Sequence, residues 1–435
     1  MLARKLEGMA QTRAFRTGFA TLAFFTLLAG DAWRYSISWW GFAAIVVLLA
    51  VASVLILATH AHVWRALPIP LVAFLAVAAL STAWSAYPGL TAVAVVTSAL
   101  TTLGALAAAV AFSWDELLRT LGYALRLILG LSLVFEFIVS TFVQRPVLPF
   151  WVDYGDTEDL PKLLFWSRDL LFDGGKIQGL VGNSSLLAFI ALLGIITFGV
   201  QLAAGKVGRF AGWFWMLVAV AVVALTRSAT IYAALAALVV VVVAVTLLRR
   251  ARSARGRGAV YWSLLGLVVV AGAAVAMFGT RLLALVGKSP DLTGRLGIWD
   301  AVIGLAQERP VQGWGWISYW APWVEPFDGL VVRGGVEQLH AHNAWLDVWL
   351  QLGVPGLITF GALVLTALVR AWQLAVERPY VSPGRPAAFT ALSVLPLLLL
   401  VALLVQSLAE SRLLIEYGLL LLVIVAVKTR RGDPA

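Results

Sequence analysis

The sequence contains no cysteine and only four histidines in 435 residues. The absence of cysteine excludes structural disulfides, cysteine-ligated zinc sites and thiol nucleophiles. Charged residues are also scarce, at 12% of the chain, whereas an average soluble domain has roughly 25%. These absences together exclude an ordinary soluble globular protein.

The sequence is instead dominated by apolar residues, which make up 61% of the chain. Windows of about 17 to 25 apolar residues predict transmembrane helices. We place such segments near residues 15–32, 40–58, 68–84, 92–112, 120–143, 180–201, 210–226, 229–247, 259–285, 344–369, 388–406 and 412–427. The sequence therefore predicts an all-α polytopic membrane protein with about twelve transmembrane helices, forming a single membrane domain over residues 1–435.

The formal net charge of +10 indicates membrane topology rather than a nucleic-acid partner. The basic residues fall mostly in short connectors that alternate along the chain, and short cytoplasmic loops are the ones that carry an excess of Lys and Arg. This rule places both termini inside the cell. Two long segments, 144–178 and 286–342, are then predicted outer loops, and the second is the candidate catalytic region.

The large outer loop combines polar and aromatic residues beside the membrane. Its segment GRLGIWDAVIGLAQ has apolar residues at helical spacing, so we expect a short helix with Arg295 near its N-terminus and a turn around 310–315. An arginine at a helix N-terminus favours an anionic ligand. Arg333 is a second arginine of this loop without an adjacent carboxylate, and it is a candidate substrate contact.

Arg227 lies between two apolar runs, at a predicted outer boundary of the membrane. An arginine so close to hydrocarbon is costly unless it faces a polar cavity or a partner, which favours phosphate binding. The alternative is that its side chain reaches the headgroups from the end of a span. Arg227 and Arg295 together would make a clamp for a diphosphate, because each guanidinium donates two parallel hydrogen bonds.

His342 begins a predicted span on the outer side and has the pKa needed to accept a proton from a hydroxyl. It is equally compatible with a plain interfacial residue. His340 and His342 form an H-x-H pair, but no nearby acid has the usual ligand spacing, so we predict no metal site. Glu136, inside an apolar run, is either functional or paired with an arginine. Five aromatic residues of the large loop are candidates to stack on sugars, although interfacial belts also collect Trp and Tyr. They are Trp314, Trp316, Tyr319, Trp320 and Trp323.

Five separated segments together resemble one family. They are LSTAWSAYPGL at 80–90, QGLVGNSSLLA at 178–188, LTRSATIYAA at 225–234, GRLGIWDAVI at 294–303 with PVQGWGW at 310–316, and AHNAWLDVWLQLGVPG at 341–356. Their order and spacing resemble the O-antigen ligases and the O-antigen or exopolysaccharide polymerases of bacterial inner membranes.

This resemblance implies a metal-independent, inverting type C glycosyltransferase without a cofactor. Its donor would be a glycan linked to undecaprenyl diphosphate, and its acceptor a glycan or a lipid-linked glycan, with the active site on the periplasmic face. By the resemblance, Arg227 and Arg295 bind the diphosphate, His342 activates the acceptor hydroxyl, and Asn343 is the motif partner of that histidine.

Two forms of this activity and two other classes stay open. The crowding of Trp and Tyr after Gly313 is similar to exopolysaccharide polymerases and favours that form slightly over a ligase acting on lipid A core. A transporter of lipid-linked glycans would also need about twelve spans, but the two halves show no internal repeat. In a non-catalytic scaffold, the arginines and the histidine would only anchor span ends.

Overall fold

The computed structural model describes residues 12–60, 65, 67–152, 154, 160–285, 294–378, 380–382, 385–386 and 388–432. Within these residues the chain forms thirteen α-helices and two small antiparallel ribbons. The helices are α1 (Arg13–Leu28), α2 (Gly30–Ala58), α3 (Ile69–Leu80), α4 (Pro88–Ala111), α5 (Trp114–Ile138), α6 (Ser184–Ala203), α7 (Arg209–Thr226), α8 (Ala229–Arg250), α9 (Ala254–Leu285), α10 (Arg295–Glu308), α11 (Ala344–Val376), α12 (Leu395–Ser407) and α13 (Glu416–Arg431).

The two ribbons and five short helical turns complete the secondary structure. Strand β1 (Val332–Arg333) pairs with β2 (Val336–Glu337), and β3 (Tyr380–Ser382) pairs with β4 (Arg385–Pro386). Short turns of 3₁₀-helix cover Ser81–Ala83, Gly179–Val181, Leu392–Val394 and Arg412–Leu414, and a π-helical turn covers Val139–Val143.

Every predicted span contains a helix, and α10 is the predicted short helix of the large loop. Among the described residues, eight helices are long and apolar enough to cross a membrane, and two apolar helices, 69–83 and 392–407, are shorter. The predicted all-α polytopic membrane fold is therefore confirmed. Helix α1, with 16 residues, is shorter than the predicted segment 15–32, and α13 has the predicted length of 16 residues but begins at Glu416 instead of 412.

Helix starts follow from local capping. Ser113 and Glu116 form a reciprocal capping box before α5, and the side chain of Asn183 accepts two backbone N–H groups at the start of α6. Proline occupies the first turn of α4, where its missing N–H removes no helical bond. Ser38 interrupts α2 with φ of 76°, between the first two predicted spans.

Helix α6 forms the centre of the bundle. Its residues Leu187 to Leu193 are all fully buried, and the helix packs against α5, α7 and α12. Because this helix is apolar on every side, a soluble surface position is excluded for it. At the other extreme, α9 is exposed along its apolar window, as expected of a helix that faces lipid.

The connectors divide between two ends of the bundle. At one end, which we call the histidine end, the segment around Ser85 and the described residues of 144–183, 294–343 and 408–415 contact one another. At the opposite end lie the α4–α5, α6–α7 and α11–α12 connectors. The sequence-based topology predicts that the histidine end faces outward.

Candidate active site

Helix α11 is broken in its third turn, and the break is filled by the loop 310–316. Gly353 has φ of 60° and ψ of −154°, and Pro355 follows it inside the helix. The carbonyl groups of Leu350 and Gln351 accept hydrogen bonds from the N–H groups of Trp314 (3.0 Å) and Gly315 (2.9 Å) instead of from α11. The loop thus satisfies the backbone groups that the break leaves open.

Two glycines make this close approach possible. A Cβ atom on Gly353 would lie 1.9 Å from the carbonyl oxygen of Val311. A Cβ on Gly313 would lie 2.5 Å from the carbonyl group of Gln351. Since both residues also have positive φ, only glycine fits at either position.

The segment 80–90 packs on the other side of the same loop. The hydroxyl of Ser81 accepts the N–H of Trp316 at 3.0 Å, and the hydroxyl of Tyr87 donates to the carbonyl oxygen of Gly315 at 2.8 Å. Three of the five resemblance segments therefore form one packed unit below the large loop. This unit fixes the position of the break in α11.

Glu136 organises the segment 178–180. Its carboxylate accepts the hydroxyl of Ser167 (2.9 Å) and the N–H groups of Gln178 (2.8 Å) and Gly179 (2.6 Å). Among the described residues no arginine forms an ion pair with Glu136, so the predicted arginine partner is not found. Glu136 binds backbone donors of the loop that enters α6 and is 1% exposed.

His342 lies in the turn before α11 and is held by a carboxylate from a distant segment. Its Nδ1 is 3.0 Å from Oε2 of Glu410, and its Nε2 is 3.2 Å from Oε1 of Gln338. The backbone of His342 is left-handed, with φ of 48°, which costs a non-glycine residue about 1–2 kcal/mol. Strain of this kind persists where the surroundings fix the residue, and it clusters at functional sites.

Glu410 joins His342 to the predicted diphosphate-binding arginine of the large loop. Arg295, the first residue of α10, donates from its guanidinium to Oε1 of Glu410 at 2.9 Å. Burial alone would raise the pKa of Glu410, but the contact with His342 and the positive charge of Arg295 hold that pKa below its ordinary range. Glu410 is therefore a carboxylate at neutral pH.

His340 stacks beside His342, with ring centroids 4.1 Å apart. Its Nδ1 accepts the backbone N–H of His342 at 3.1 Å, which requires that nitrogen to be unprotonated. Burial, and then the charge of His342, hold the pKa of His340 well below its ordinary value. His340 is therefore neutral, and it helps to fix the left-handed turn.

Asp347 ties the histidine turn to the Glu410 segment. Its carboxylate accepts the N–H of Ala341 at 2.9 Å and the indole N–H of Trp320 at 2.9 Å, and it also accepts the hydroxyl of Ser411. Because Asp347 is fully buried, these bonds are shielded from water. They place His342 and Glu410 at a fixed separation.

A second ion-pair cluster lies on the far side of the Glu410 segment. Glu416 accepts from both Arg34 and Arg412, and Arg34 also donates to Asp31 at 2.7 Å. The guanidinium of Arg412 lies 5.4 Å from the ring centroid of Tyr319. Burial opposes the charge of Arg412, but Tyr319 and Glu416 raise its pKa above the ordinary value. This cluster anchors α2 to the last helix.

Arg227 is placed in the turn between α7 and α8, where it is exposed and has φ of 49°. Within the described residues its guanidinium makes no hydrogen bond or ion pair to protein. A Cβ on Gly174, in the long loop before α6, would lie 3.6 Å from its Nη2. The structure records no contact between Arg227 and the Glu410 cluster.

Of the other predicted contacts, Arg333 lies over the start of α10, where its Nε would be 3.1 Å from a Cβ on Gly294. The side chain of Asn343 caps α11 by accepting the N–H groups of Trp345 and Leu346. Trp314 is half-buried beneath the guanidinium of Arg309.

Trp316 is buried in the structure, whereas the sequence predicted a residue that stacks on a sugar. It is fully buried, and its indole N–H donates to Ser98 at 3.1 Å. A fully buried indole has no free face for a sugar, so the prediction of substrate stacking is not supported for Trp316. The same holds for Trp320, which is 2% exposed and donates to Asp347, whereas Trp323, also a predicted stacking residue, is 75% exposed and has an accessible ring.

Glu410, Gln338 and Asp347 are the site residues that the sequence reasoning missed. Glu410 lies in a short polar segment, AESR, between the last two apolar runs, and this interruption at a predicted outer boundary was the available signal. Its contact with His342 spans 68 positions of sequence, so no local spacing reveals it.

Glu410, together with the two histidines, corrects the sequence argument on metals. The ligand atoms of His340, His342 and Glu410 all lie within 4.8 Å of one another, so an acid does accompany the H-x-H pair in space. The oxygens of Glu410, however, already accept Arg295 and His342. A metal would have to displace both contacts.

The fold and the cluster define a class: a multi-pass, all-α membrane protein whose ionisable groups converge at one end of the bundle. Residues 214–361, which include Arg227, Arg295 and His342, match the family model described as O-antigen ligase. This part of the chain is therefore similar to the O-antigen ligase and polymerase superfamily, and the similarity supports a membrane enzyme of polysaccharide assembly. A search of curated proteins finds no match.

Proposed function

We propose that the protein is an inverting glycosyltransferase of the inner membrane. It transfers a glycan from undecaprenyl diphosphate to an acceptor sugar hydroxyl at the histidine end, which faces the periplasm. The reaction needs neither metal nor cofactor. The observation that carries the proposal is the contact of one buried carboxylate, Glu410, with both His342 and Arg295.

His342 acts as the general base. With Glu410 ionised, its carboxylate accepts the hydrogen on Nδ1, so Nε2 is the nitrogen that can take a proton. The amide of Gln338 donates to Val336 and therefore turns its oxygen toward Nε2. Nε2 of His342 and the oxygen of Gln338 are then both hydrogen-bond acceptors, so their contact is unfavourable. A hydroxyl of the sugar substrate that takes the place of Gln338 would donate a favourable hydrogen bond to Nε2.

Arg227 and Arg295 stabilise the leaving group. Attack by the acceptor oxygen forms a new bond to the anomeric carbon and breaks the bond from that carbon to the diphosphate oxygen, while the acceptor proton moves to His342. The charge left on undecaprenyl diphosphate is held by guanidinium groups and by the N-terminus of α10. Arg227 has free donors for this purpose, since it is exposed and unpaired within the described residues.

Four further residues are proposed substrate contacts. Arg333 and Trp314 lie on the large loop beside the start and the end of α10. His340 and Asn343 flank His342, and their described bonds support its turn and the start of α11. We assign the first pair to the glycan and the second pair mainly to positioning.

Polymerase and ligase activities differ in the acceptor. The Trp- and Tyr-rich segment 314–320 favours a polymerase slightly, whereas the description of the matched family model favours a ligase. A transporter would move the lipid-linked glycan without forming a glycosidic bond.

The test is to incubate the purified protein with undecaprenyl diphosphate-linked repeat units in the presence of a chelator and to separate the products on a gel. A ladder of lengthening glycans would establish a metal-independent polymerase. Transfer only after addition of lipid A core, or of another acceptor, would establish a ligase. No product under either condition, with a folded protein, would reject glycosyl transfer.

A further inference from the structure

A second polar site lies at the opposite end of the bundle, away from the histidine end. It is a cavity of about 240 Å³ between α5, α6 and the α6–α7 connector. Its charged lining consists of Arg119, Arg126, Lys206 and Asp115. Three cations face one carboxylate, so the cavity carries an excess of positive charge.

Arg126 is the residue that demands an explanation. It lies in the middle of α5, a membrane-spanning helix, and it is only partly exposed. No ion pair among the described residues includes it, although Lys206 in the same cavity pairs with Asp115 at 2.9 Å. An arginine inside a membrane span is costly unless a partner or a polar cavity receives it.

The neighbouring amide holds Arg126 toward the cavity. Nη2 of Arg126 donates to Oε1 of Gln201 at 2.6 Å. The amide nitrogen of Gln201 donates to the carbonyl oxygen of Leu118 at 3.1 Å, which fixes the amide with its oxygen toward the arginine. Gln201 is 4% exposed, so this is a buried, oriented contact that uses one of the five guanidinium donors.

We propose that this cavity binds a phosphate group, supplied by the headgroup of an anionic phospholipid. A phosphate is the ligand whose charge and oxygens match the remaining donors of Arg126 together with those of Arg119 and Lys206. Basic pockets between helices on the cytoplasmic side of membrane proteins bind anionic headgroups. The positive-inside distribution of this chain predicts that side for the opposite end.

The surface beside the cavity fits a lipid better than a free ion. Tyr123 lines the cavity, and it begins an exposed apolar stripe of α5 that continues through Leu127 and Leu131. These residues recur every four positions and therefore share one face of the helix. Acyl chains would lie along this face while the phosphate enters the cavity.

The test uses the full chain in detergent with a fluorescent phosphatidylglycerol as the probe. Arg126→Gln removes the charge at the centre of the cavity, and Arg252→Gln removes one from an exposed connector at the same end of the bundle. We expect saturable binding that Arg126→Gln weakens about tenfold or more, the effect of losing one charge-assisted hydrogen bond. Arg252→Gln should leave binding unchanged.

Competition identifies the source of the phosphate. Unlabelled phosphatidylglycerol should displace the probe, and phosphatidylcholine and inorganic phosphate should not. If inorganic phosphate displaces it as well as the lipid does, the lipid assignment is overturned in favour of a free anion. Equal losses in Arg126→Gln and Arg252→Gln, or no loss in Arg126→Gln, would overturn the site itself.

A second variant covers the case in which Arg126→Gln fails to fold. Arg119→Gln changes a cation near the start of α5 that has no ion-pair partner among the described residues. It should lower the affinity for phosphatidylglycerol by several-fold and leave the elution profile of the protein unchanged. Unchanged affinity in a folded Arg119→Gln protein would count against the cavity.

Discussion

The two ends of the bundle hold their cations in different ways. At the histidine end, Arg227 is exposed, but the more buried arginines are paired with carboxylates, as Arg295 is with Glu410 and Arg34 with Glu416. At the opposite end, Lys206 and Arg16 also pair with the carboxylates of Asp115 and Glu116, but other cations donate to carbonyl groups near the ends of helices. Lys428 donates to Phe112 at 2.8 Å after α4, and Arg249 donates to Ala375 at 2.7 Å in α11.

This difference separates a responsive end from a fixed one. Carbonyl groups at a helix C-terminus carry a partial negative charge that does not titrate, so the cations bound there act as permanent caps. Carboxylates can lose their charge or exchange a partner for a ligand. Chemistry is therefore expected where acids, histidines and arginines share contacts, and stability alone is expected where cations cap helices.

Among the tests of this difference between the two ends, removal of the proposed general base should have the largest effect on the rate of glycan transfer. His342→Ala should lower the rate of glycan transfer by about 100-fold or more, the usual contribution of a positioned general base. Its matched control is His60→Ala at the opposite end, where Nδ1 lies 2.9 Å from the carbonyl oxygen of Ile56. The measurement is turnover by protein that elutes as folded.

Arg227→Ala belongs to the same experiment because it removes a proposed diphosphate ligand. We expect it to give a folded but inactive protein. Substantial turnover by either His342→Ala or Arg227→Ala would contradict the role proposed for that residue, and an equal loss in His60→Ala would point to general damage.

The next effect compares two acids only six positions apart, the buried Glu410 and the partly buried Glu416. Glu410→Gln keeps the shape of the side chain but removes the charge that orients His342, and it should lower the rate about ten- to a hundredfold. Glu416→Gln disturbs the pairs with Arg34 and Arg412, so it should reduce stability with a smaller change in rate per folded molecule. Rates and thermal unfolding of both variants are measured together.

If Glu416→Gln slows transfer as much as Glu410→Gln, the contact with His342 is not what matters. The two acids would then act only as parts of one anchoring network. A Glu410→Asp variant provides the intermediate case, since it restores the charge at a longer distance and should recover part of the rate.

The fixed end should respond in stability and not in rate. Lys428 is 1% exposed and donates to Phe112, so Lys428→Met should reduce the free energy of unfolding by about 1.5–3 kcal/mol. Turnover per folded molecule should be unchanged. If Lys428→Met lowered turnover at constant stability, the proposed difference between the two ends would be wrong.

The smallest effect concerns pH. The pKa of His340 is lowered in the folded protein, so below its ordinary value of 6.5 the unfolded chain binds more protons and stability falls with decreasing pH. The lowered pKa of Glu410 adds a further loss below about 4.5. Thermal unfolding between pH 7 and pH 5 should therefore show a slope that His340→Asn flattens. An unchanged slope in His340→Asn would mean that titratable groups other than His340 cause the pH dependence of stability.

Much of the fold could be predicted because the bilayer requires apolar helices of a minimum length, and because basic residues mark the cytoplasmic connectors. All twelve predicted segments and the short helix after Gly294 are present. The break in α11 was missed because its cause is partly tertiary: Gly353 and Pro355 permit it, but the loop at 311–315 satisfies the opened backbone.

The candidate site was predictable only in part, for a related reason. Arg227, Arg295 and His342 stand out locally, as costly or titratable residues at predicted boundaries. Glu410 acquires its meaning only through contacts with residues 68 and 115 positions away. Trp316 was misassigned because local sequence does not distinguish an interfacial indole from a buried one that donates to Ser98.

The interlocking of loop 310–316 with the opened turn of α11 has a consequence for protein engineering. The large loop is not a transplantable cassette, because its backbone completes a transmembrane helix and is itself clamped by Ser81 and Tyr87. A chimera that exchanges only residues 294–342 between relatives would combine this loop with a segment 80–90 and a helix α11 to which it is not matched. Exchange of acceptor or donor preference should therefore succeed only when 80–90 and 294–356 are moved together.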